Sequence, residues 1–296
     1  MGCSSNTVKA PTSDFTSLAQ RKQQSAVDAS LERFSTVVDH SARFPLEPIH
    51  SNFADPLLDG PFFQSAVPRG RMPAVNLVFV QSRDGNTEAK DPGALGGGAT
   101  DKHVIYEGLS RITADAVLSG SRTVGKGRLI FSVWHPELVR LRRRLGKPRH
   151  PLQIVMTAKA DLPIEDGLLF NVPDVRVVIL TTDSAAASLD PRLRAHPWIR
   201  VIAAGDPLDV RRGMERLRTK LGIRRISAIG GRTAATTLID AGVVSDLYLT
   251  TSPIIAGTPD TPLYTGGDPP ARRLVLRKQS DSGIVFEHFV LDRFTS

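Results

Sequence analysis

Cysteine occurs once in the 296 residues, at Cys3, so a disulfide within the chain and a cysteine-built zinc site are both excluded. The seven histidines are scattered, with no pair at metal-ligand spacing, and no metal is expected. Aromatic residues make up only 6% of the chain and are not interleaved with its basic runs, so a platform for stacking single-stranded nucleic acid is not expected. No run is long and apolar enough to span a bilayer. The first residues lack the apolar core of a secretory signal. The opening Met1-Gly2-Cys3 invites a lipidation reading, but Asn6 stands where myristoylation wants serine or threonine. These absences fit a protein of the reducing cytoplasm with no membrane partner.

What the chain does carry is positive charge, 38 Lys and Arg against 30 Asp and Glu, a formal +8. Much of it lies in Arg140 to Arg149 (RLRRRLGKPR) and in Arg211 to Arg225. Such clusters are solvated helix faces, or they attract anions: nucleic acid, phosphorylated metabolites or dinucleotides. The apolar fraction of 41% comes in separated clusters and is enough for a sizeable core.

Residues 1–70 differ from the rest. They begin polar, suggest a short helix over 26–38, and then pass through Pro45, Pro48, Pro56, Pro61 and Pro68. This reads as an arm, partly disordered, lying on the main domain of residues 71–296. From Pro73 the pattern changes. Apolar β-rich runs at 74–81, 116–118, 152–156, 175–180, 199–203, 225–229 and 247–251 alternate with helical ones at 101–111, 138–145 and 233–241. Asp206-Pro207 reads as a helix start, and Val210, Met214, Leu217 and Leu221 recur as an amphipathic stripe stopped by Gly222. Two late strands, 273–278 and 284–291, close the chain. The expected fold is α/β, a mostly parallel central sheet with helices on both faces and an antiparallel C-terminal edge.

Three turns carry chemistry. Gly230-Gly231-Arg232-Thr233 joins a strand to a helix, where bare backbone and a helix N-terminus suit a pyrophosphate, or simply make a tight turn. There is no six-residue Rossmann spacing and no P-loop lysine. Ser82-Arg83-Asp84-Gly85 follows the first strand of the α/β pattern, at the end where open α/β sheets bind ligands, and reads as a ligand turn or a plain one. Gly120-Ser121-Arg122-Thr123-Val124 ends another strand in small and hydroxyl residues, after Arg111, which caps helical carbonyls or reaches a phosphate.

In this order, together with Leu109 to Leu118, with Ala241-Gly242-Val243-Val244-Ser245-Asp246-Leu247 and with Pro253-Ile254-Ile255-Ala256-Gly257, these turns resemble the pyrimidine reductases of riboflavin biosynthesis over about residues 70–292. The resemblance implies a dihydrofolate-reductase-like fold, NADPH as cofactor, a homodimer, and reduction of the ribosyl group of a phosphorylated aminopyrimidine. It places Val80 and Gln81 near the nicotinamide and Thr123 against the cofactor. Gly230, Gly231, Arg232, Thr233 and Ala234 fall around the pyrophosphate. Thr157 and Lys159 face the adenosine end, with Lys159 near a 2′-phosphate. Ser82, Asp84 and Arg111 fall toward an anionic substrate. Two departures fall on that substrate side: Ile229 and Gly127 stand where the family often has acidic residues. The zinc deaminase domain of the bifunctional relatives needs a His/Cys cluster that this chain lacks. No residue is assigned as proton donor, and a reductase of the same fold acting on a pterin or another carbonyl or imine remains open beside this reading.

Overall fold

The computed structural model describes residues 11–88, 95–125, 129–256 and 261–292. Gly127 and Gly257 lie outside them. The centre of the fold is set by β4 (Ala74–Gln81), whose apolar residues can only be satisfied by burial on both faces. It pairs in parallel with β9 (Arg225–Ile229) on one side and with β10 (Asp246–Thr251) on the other. Beyond β9 the parallel ladder continues through β5 (Ala116–Gly120), β6 (Leu152–Met156), β7 (Val177–Thr181) and β8 (Ile199–Ala203). Beyond β10 lie β12 (Val285–Leu291) and β11 (Arg272–Ser280), antiparallel as expected. The expected α/β architecture is what the structure has.

The N-terminal region departs from the sequence reading. A helix, α1 (Pro11–Val27), precedes the segment expected to be helical, and residues 34–39 form strand β1 instead. Thr36, Val37 and Val38 lose side-chain freedom in a helix and fit a pleated edge. β1 pairs antiparallel with β11, Phe34 opposite Ser280 and Asp39 opposite Leu276. It completes a ten-stranded sheet of order β1-β11-β12-β10-β4-β9-β5-β6-β7-β8. The apolar residues of the late strands are therefore largely covered from within: Val275, Leu276 and Phe286 are buried. The β11 edge of the sheet is thus closed by the chain's own N-terminal segment.

The rest of that segment is pinned as firmly. The two-stranded sheet of β2 (Leu46–Ile49) and β3 (Phe62–Ser65) abuts β10. Ser65 donates its hydroxyl to Asp246 at 2.8 Å, His288 meets the same carboxylate oxygen at 2.8 Å, and Tyr248 donates to the Phe63 carbonyl at 2.8 Å.

Helices cover both faces. On one, α8 (Val210–Leu221) and α9 (Arg232–Asp240) bury Met214, Leu217, Leu238 and Ile239 against the sheet. The stripe along α8 is as expected, but the helix starts after Asp206-Pro207. Asp209 is its N-cap, accepting from the Arg212 N–H at 2.9 Å, while the Asp206 carboxylate is taken up by Ser184. On the other face runs a wide π-type helix (Asp101–Leu109), continued at its ends by α3 (Gly98–Thr100) and α4 (Ser110–Ile112). Val104, Ile105, Leu109 and Ile112 face the core from it. α6 (Pro136–Arg144) and α7 (Asp183–Leu193) lie on this side too, the latter a helix that the sequence reading passed over.

The basic run on α6 is not simply a solvated face. Arg142 is 1% exposed and donates to the carbonyls of Arg111, Ile112, Ala114 and Pro148, at 2.7 to 3.1 Å. It ties off the C-terminal carbonyls of the α4 turn, which helix geometry leaves unpaired. We expect Arg142→Met to cost about 3 kcal/mol, because several buried acceptors lose a charged donor together. That corresponds to a drop of roughly 5–10 °C in melting temperature; an unchanged melting curve by differential scanning calorimetry would show the guanidinium to be dispensable.

Candidate nucleotide and substrate cleft

Because the strands from β10 to β8 run the same way, their carboxyl ends share one rim, and the loops leaving them lie side by side in sheet order. Along that rim stand Thr250 and Thr251 of β10, Val80 and Gln81 of β4, Gly230 and Gly231 after β9, and α5 (Ser121–Val124) after β5. Thr157 and Lys159 come next, after β6. Of the thirteen residues expected at a site, all but Arg111 are brought to this rim.

The glycine pair is the most constrained part. Gly230 and Gly231 have φ of +70° and +80°, a backbone that side chains other than glycine rarely adopt. Two such residues ahead of α9 turn successive N–H groups, and the unpaired donors of the helix's first turn, the same way. Thr123 faces them: its Oγ1 lies 3.6 Å and 3.4 Å from where a Cβ would stand at Gly230 and Gly231. Gly120 similarly approaches Ala234, at 3.4 Å from a built Cβ to the alanine methyl. The result is a bare backbone cradle bordered by a hydroxyl, suited to a pyrophosphate. Arg232 enters α9 beside it and pairs with Glu88 at 3.7 Å, and Thr233 is exposed. Beyond β6, the Thr157 hydroxyl donates to the Lys159 carbonyl at 2.8 Å and accepts its N–H at 3.2 Å, fixing the turn while leaving the Lys159 side chain in solvent.

At the other end of the rim the β4 turn is built from its own side chains. Ser82 is fully buried; its hydroxyl donates to Asp84 and accepts the Asn86 N–H at 3.1 Å. Asp84 also accepts from the Asn86 amide at 2.9 Å and from the Ala256 N–H at 3.2 Å. These bonds, the Ser82 hydroxyl first, hold its carboxyl below the usual range. Asn86 in turn accepts from the Thr261 N–H and hydroxyl at 3.0 and 2.9 Å. Ser82 thus organises the turn, and Asp84, on its surface, stays ionised. Gln81 donates to Thr251 Oγ1 at 3.1 Å, joining β4 to β10 at the rim.

Arg111 is placed apart from the other twelve. It lies before β5, at the amino end of the parallel strands, and is 1% exposed. Its guanidinium donates to the Ser132 carbonyl at 3.0 Å and packs 4.4 Å from the Tyr106 ring centroid. The resemblance puts this residue toward substrate; its own context in the sequence leaves it a carbonyl cap or a phosphate contact. Helix direction decides otherwise: the wide helix starts at the rim and descends, so its last turn is at the far side of the sheet.

Two residues that sequence reasoning missed are close to the β4 end. Asp101, the first residue of the wide helix, is 7% exposed and accepts the Thr250 hydroxyl at 2.6 Å. Thr250 is opposite Val80 in the β10–β4 register. Burial pushes the Asp101 carboxyl up to about 7, against the Thr250 bond, which lowers it. Glu32, ahead of β1, is close by: its backbone carbonyl accepts the Thr100 hydroxyl at 2.8 Å. In the sequence Asp101 only opens the helical run at 101–111, and nothing local reports its burial.

Residues 73–286 match the family model described as the RibD C-terminal domain. Over 158 residues, 53% of this chain and 70% of the relative, the sequence is 24% identical to a 2,5-diamino-6-ribosylamino-4(3H)-pyrimidinone 5′-phosphate reductase of Archaeoglobus fulgidus. Among solved structures, a pyrimidine reductase-like protein of Corynebacterium diphtheriae superposes with a TM-score of 0.59 at 18% identity, covering 75% of this chain and 92% of the other. A riboflavin biosynthesis reductase of Saccharomyces cerevisiae gives 0.55 at 16%, covering 77% and 93%. The deaminase/reductase of Thermotoga maritima gives 0.56 at 19%, covering 75% of this chain and 57% of that one. At these identities the structures share the fold.

The cradle generates a direct expectation. Gly231→Val forces a β-branched residue into positive φ and fills the space before Thr123, so dinucleotide affinity should fall at least about tenfold, roughly 1.4 kcal/mol. Isothermal calorimetry with NADPH, beside circular dichroism to establish that the variant is folded, measures this. A folded variant with unchanged affinity would make the turn structural only.

Proposed function

The chain belongs to the RibD C-terminal domain family, and from this premise we propose that it is an NADPH-dependent reductase of riboflavin biosynthesis. It reduces the ribosyl group of a phosphorylated aminopyrimidine, 5-amino-6-(5-phosphoribosylamino)uracil or its close relative, to a ribityl chain. The observation that carries the reading is the linear order of the rim. A dinucleotide is an extended ligand, and here the adenosine-side turn at Thr157 and Lys159, the Gly230–Gly231 cradle and the β4 end at Val80 and Gln81 follow one another across adjacent strands. When bound, the dihydronicotinamide supplies the hydride. The protein's part is to hold the pyrophosphate on backbone N–H groups and to bring the sugar against the β4–β10 end of the rim.

Ile229 supports a second reading, a reductase of the same fold with a different carbonyl or imine substrate such as a pterin. Where the resemblance calls for an acidic residue before the Gly-Gly turn, this chain buries an isoleucine to 1% exposure in the core. A panel of phosphoribosyl aminopyrimidines, dihydropterins and simple carbonyls, followed by the absorbance of NADPH, decides between the two. Turnover of the aminopyrimidine with the pterins inert supports the first; the converse supports the second.

Lys159 leads to an expectation about the cofactor. Its exposed ammonium at the adenosine end gives a 2′-phosphate a charge-assisted partner. Calorimetry should therefore give NADPH an affinity about tenfold or more above that of NADH, an advantage that Lys159→Ala removes; equal affinities in the unaltered protein would refute the preference.

A homodimer is part of the same proposal. It rests on the resemblance, since the apolar C-terminal strands are satisfied within the chain. Light scattering at micromolar concentration should return twice the chain mass, and a monomeric mass would remove this element.

A further inference from the structure

Reduction of a ribosylamine needs a proton as well as a hydride, and Ile229 and Gly127, which stand where the resemblance leads to acidic residues, have none to give. Four carboxyls lie about the β4 end of the rim among the described residues: Asp84, Glu88, Glu32 and Asp101. Asp84 is held ionised by Ser82, Asn86 and the Ala256 N–H, so it has no proton to give. Glu88 is paired with Arg232. Glu32 is partly exposed, 3.1 Å by its Oε1 from where a Cβ would stand at Gly98. Asp101 differs from all three. Its Oδ1 takes the Thr250 hydroxyl, beside the strand end that carries Val80. Its Oδ2 faces Gly97, where a Cβ would stand only 2.5 Å away, so the carboxyl is roofed by bare backbone and not by a side chain.

The geometry points to Asp101 as the proton donor of the reduction; the inference rests on the reductase reading above. The sugar C1′ gains a hydride with its two electrons. The C1′–O4′ bond breaks, its electron pair passes to O4′, and O4′ takes the proton from the Asp101 carboxyl. The carboxylate then regains a proton from water, so each turnover consumes one NADPH and one proton.

The environment suits the task. Burial holds the carboxyl protonated to about pH 7, where a general acid is most effective. The groups facing it are the Thr250 hydroxyl from β10 and the Tyr106 phenol on its own helix, itself pushed up by burial, while the Glu32 carboxyl of the N-terminal segment lies against Gly98. None of them is a cation that would draw the proton off. Placing this acid also gives a role to the N-terminal segment, which lies outside the family match: the Glu32 carbonyl anchors Thr100, the residue before Asp101.

Asp101→Asn keeps the Thr250 bond and removes the proton. Single-turnover oxidation of bound NADPH by the aminopyrimidine should slow at least about a hundredfold at pH 7, with NADPH affinity unchanged. The unaltered enzyme's rate should decline above about pH 7, and the variant's should not. Two readouts need no turnover. Carboxyl titration by isotope-edited infrared spectroscopy should show one group titrating near 7 that the variant lacks. The raised pKa means the folded state loses stability as pH rises from about 4 through 7, when the buried group ionises. Asp101→Asn should therefore melt above the unaltered protein at pH 8 and close to it at pH 4.

Thr250→Val offers a second variant: losing the hydroxyl donor should move both the carboxyl titration and the decline in rate to higher pH. An Asp101 carboxyl titrating near 4, or an Asp101→Asn enzyme that keeps its rate and pH profile, overturns the inference and leaves the reductase reading standing. If the unaltered protein oxidises NADPH with no member of the substrate panel, the reductase reading fails and takes the inference with it.

Discussion

Everything at the rim depends on one constraint, the burial of β4 between two parallel neighbours with both faces covered. A parallel strand cannot be reached from its neighbour by a tight turn, so each crossing must travel over a face of the sheet and return to the same end. The loops that leave β4, β9, β5 and β6 are thereby gathered along one edge, although they are far apart in sequence. No side chain specifies that gathering. It follows from direction and order, and it turns several unremarkable turns into one extended surface on which a dinucleotide can lie.

The price of so much buried backbone is met by charged side chains working inside the protein. Arg142 closes the carbonyls of the α4 turn, Arg111 reaches the Ser132 carbonyl, and Asp246 joins Ser65 of the β2–β3 pair to His288 of β12. Glu107, in the wide helix, takes Lys22 from α1 at 2.7 Å, and its carboxyl is held down to about 2 by His103 and by cations including Lys22, against the effect of burial. These contacts fasten an N-terminal segment that the family match does not include onto the core that it does. A count of basic residues says nothing of this: two of the arginines in the most suggestive places bind backbone carbonyls of their own chain.

At the β4 end of the rim, environment separates two aspartates of the same chemistry. Asp84 sits on the surface of a turn that supplies it with donors and stays charged. Asp101 is enclosed at a helix start, bonded to the Thr250 hydroxyl, and burial keeps its proton on toward neutrality. One anchors the loop, and the other stores a proton beside it. The difference comes from which loop each residue begins or ends, not from the residue itself.

The sequence by itself determined the parallel strands, the stripe along α8 and the glycine cradle. Each rests on a local rule: apolar β-branched runs, a helical repeat, and a backbone conformation only glycine adopts readily. Its ordered motifs also sufficed for the resemblance. Only the tertiary structure decided the rest. Residues 34–39 became a strand because β11 had an edge to pair with. Arg111 stands apart from the rim because the wide helix carries its last turn to the amino end of the sheet. Asp101 entered it because that helix begins at the rim and a strand 149 residues away supplies Thr250. Burial and pairing across the chain are long-range quantities, and a pattern of neighbours in sequence holds no measure of them.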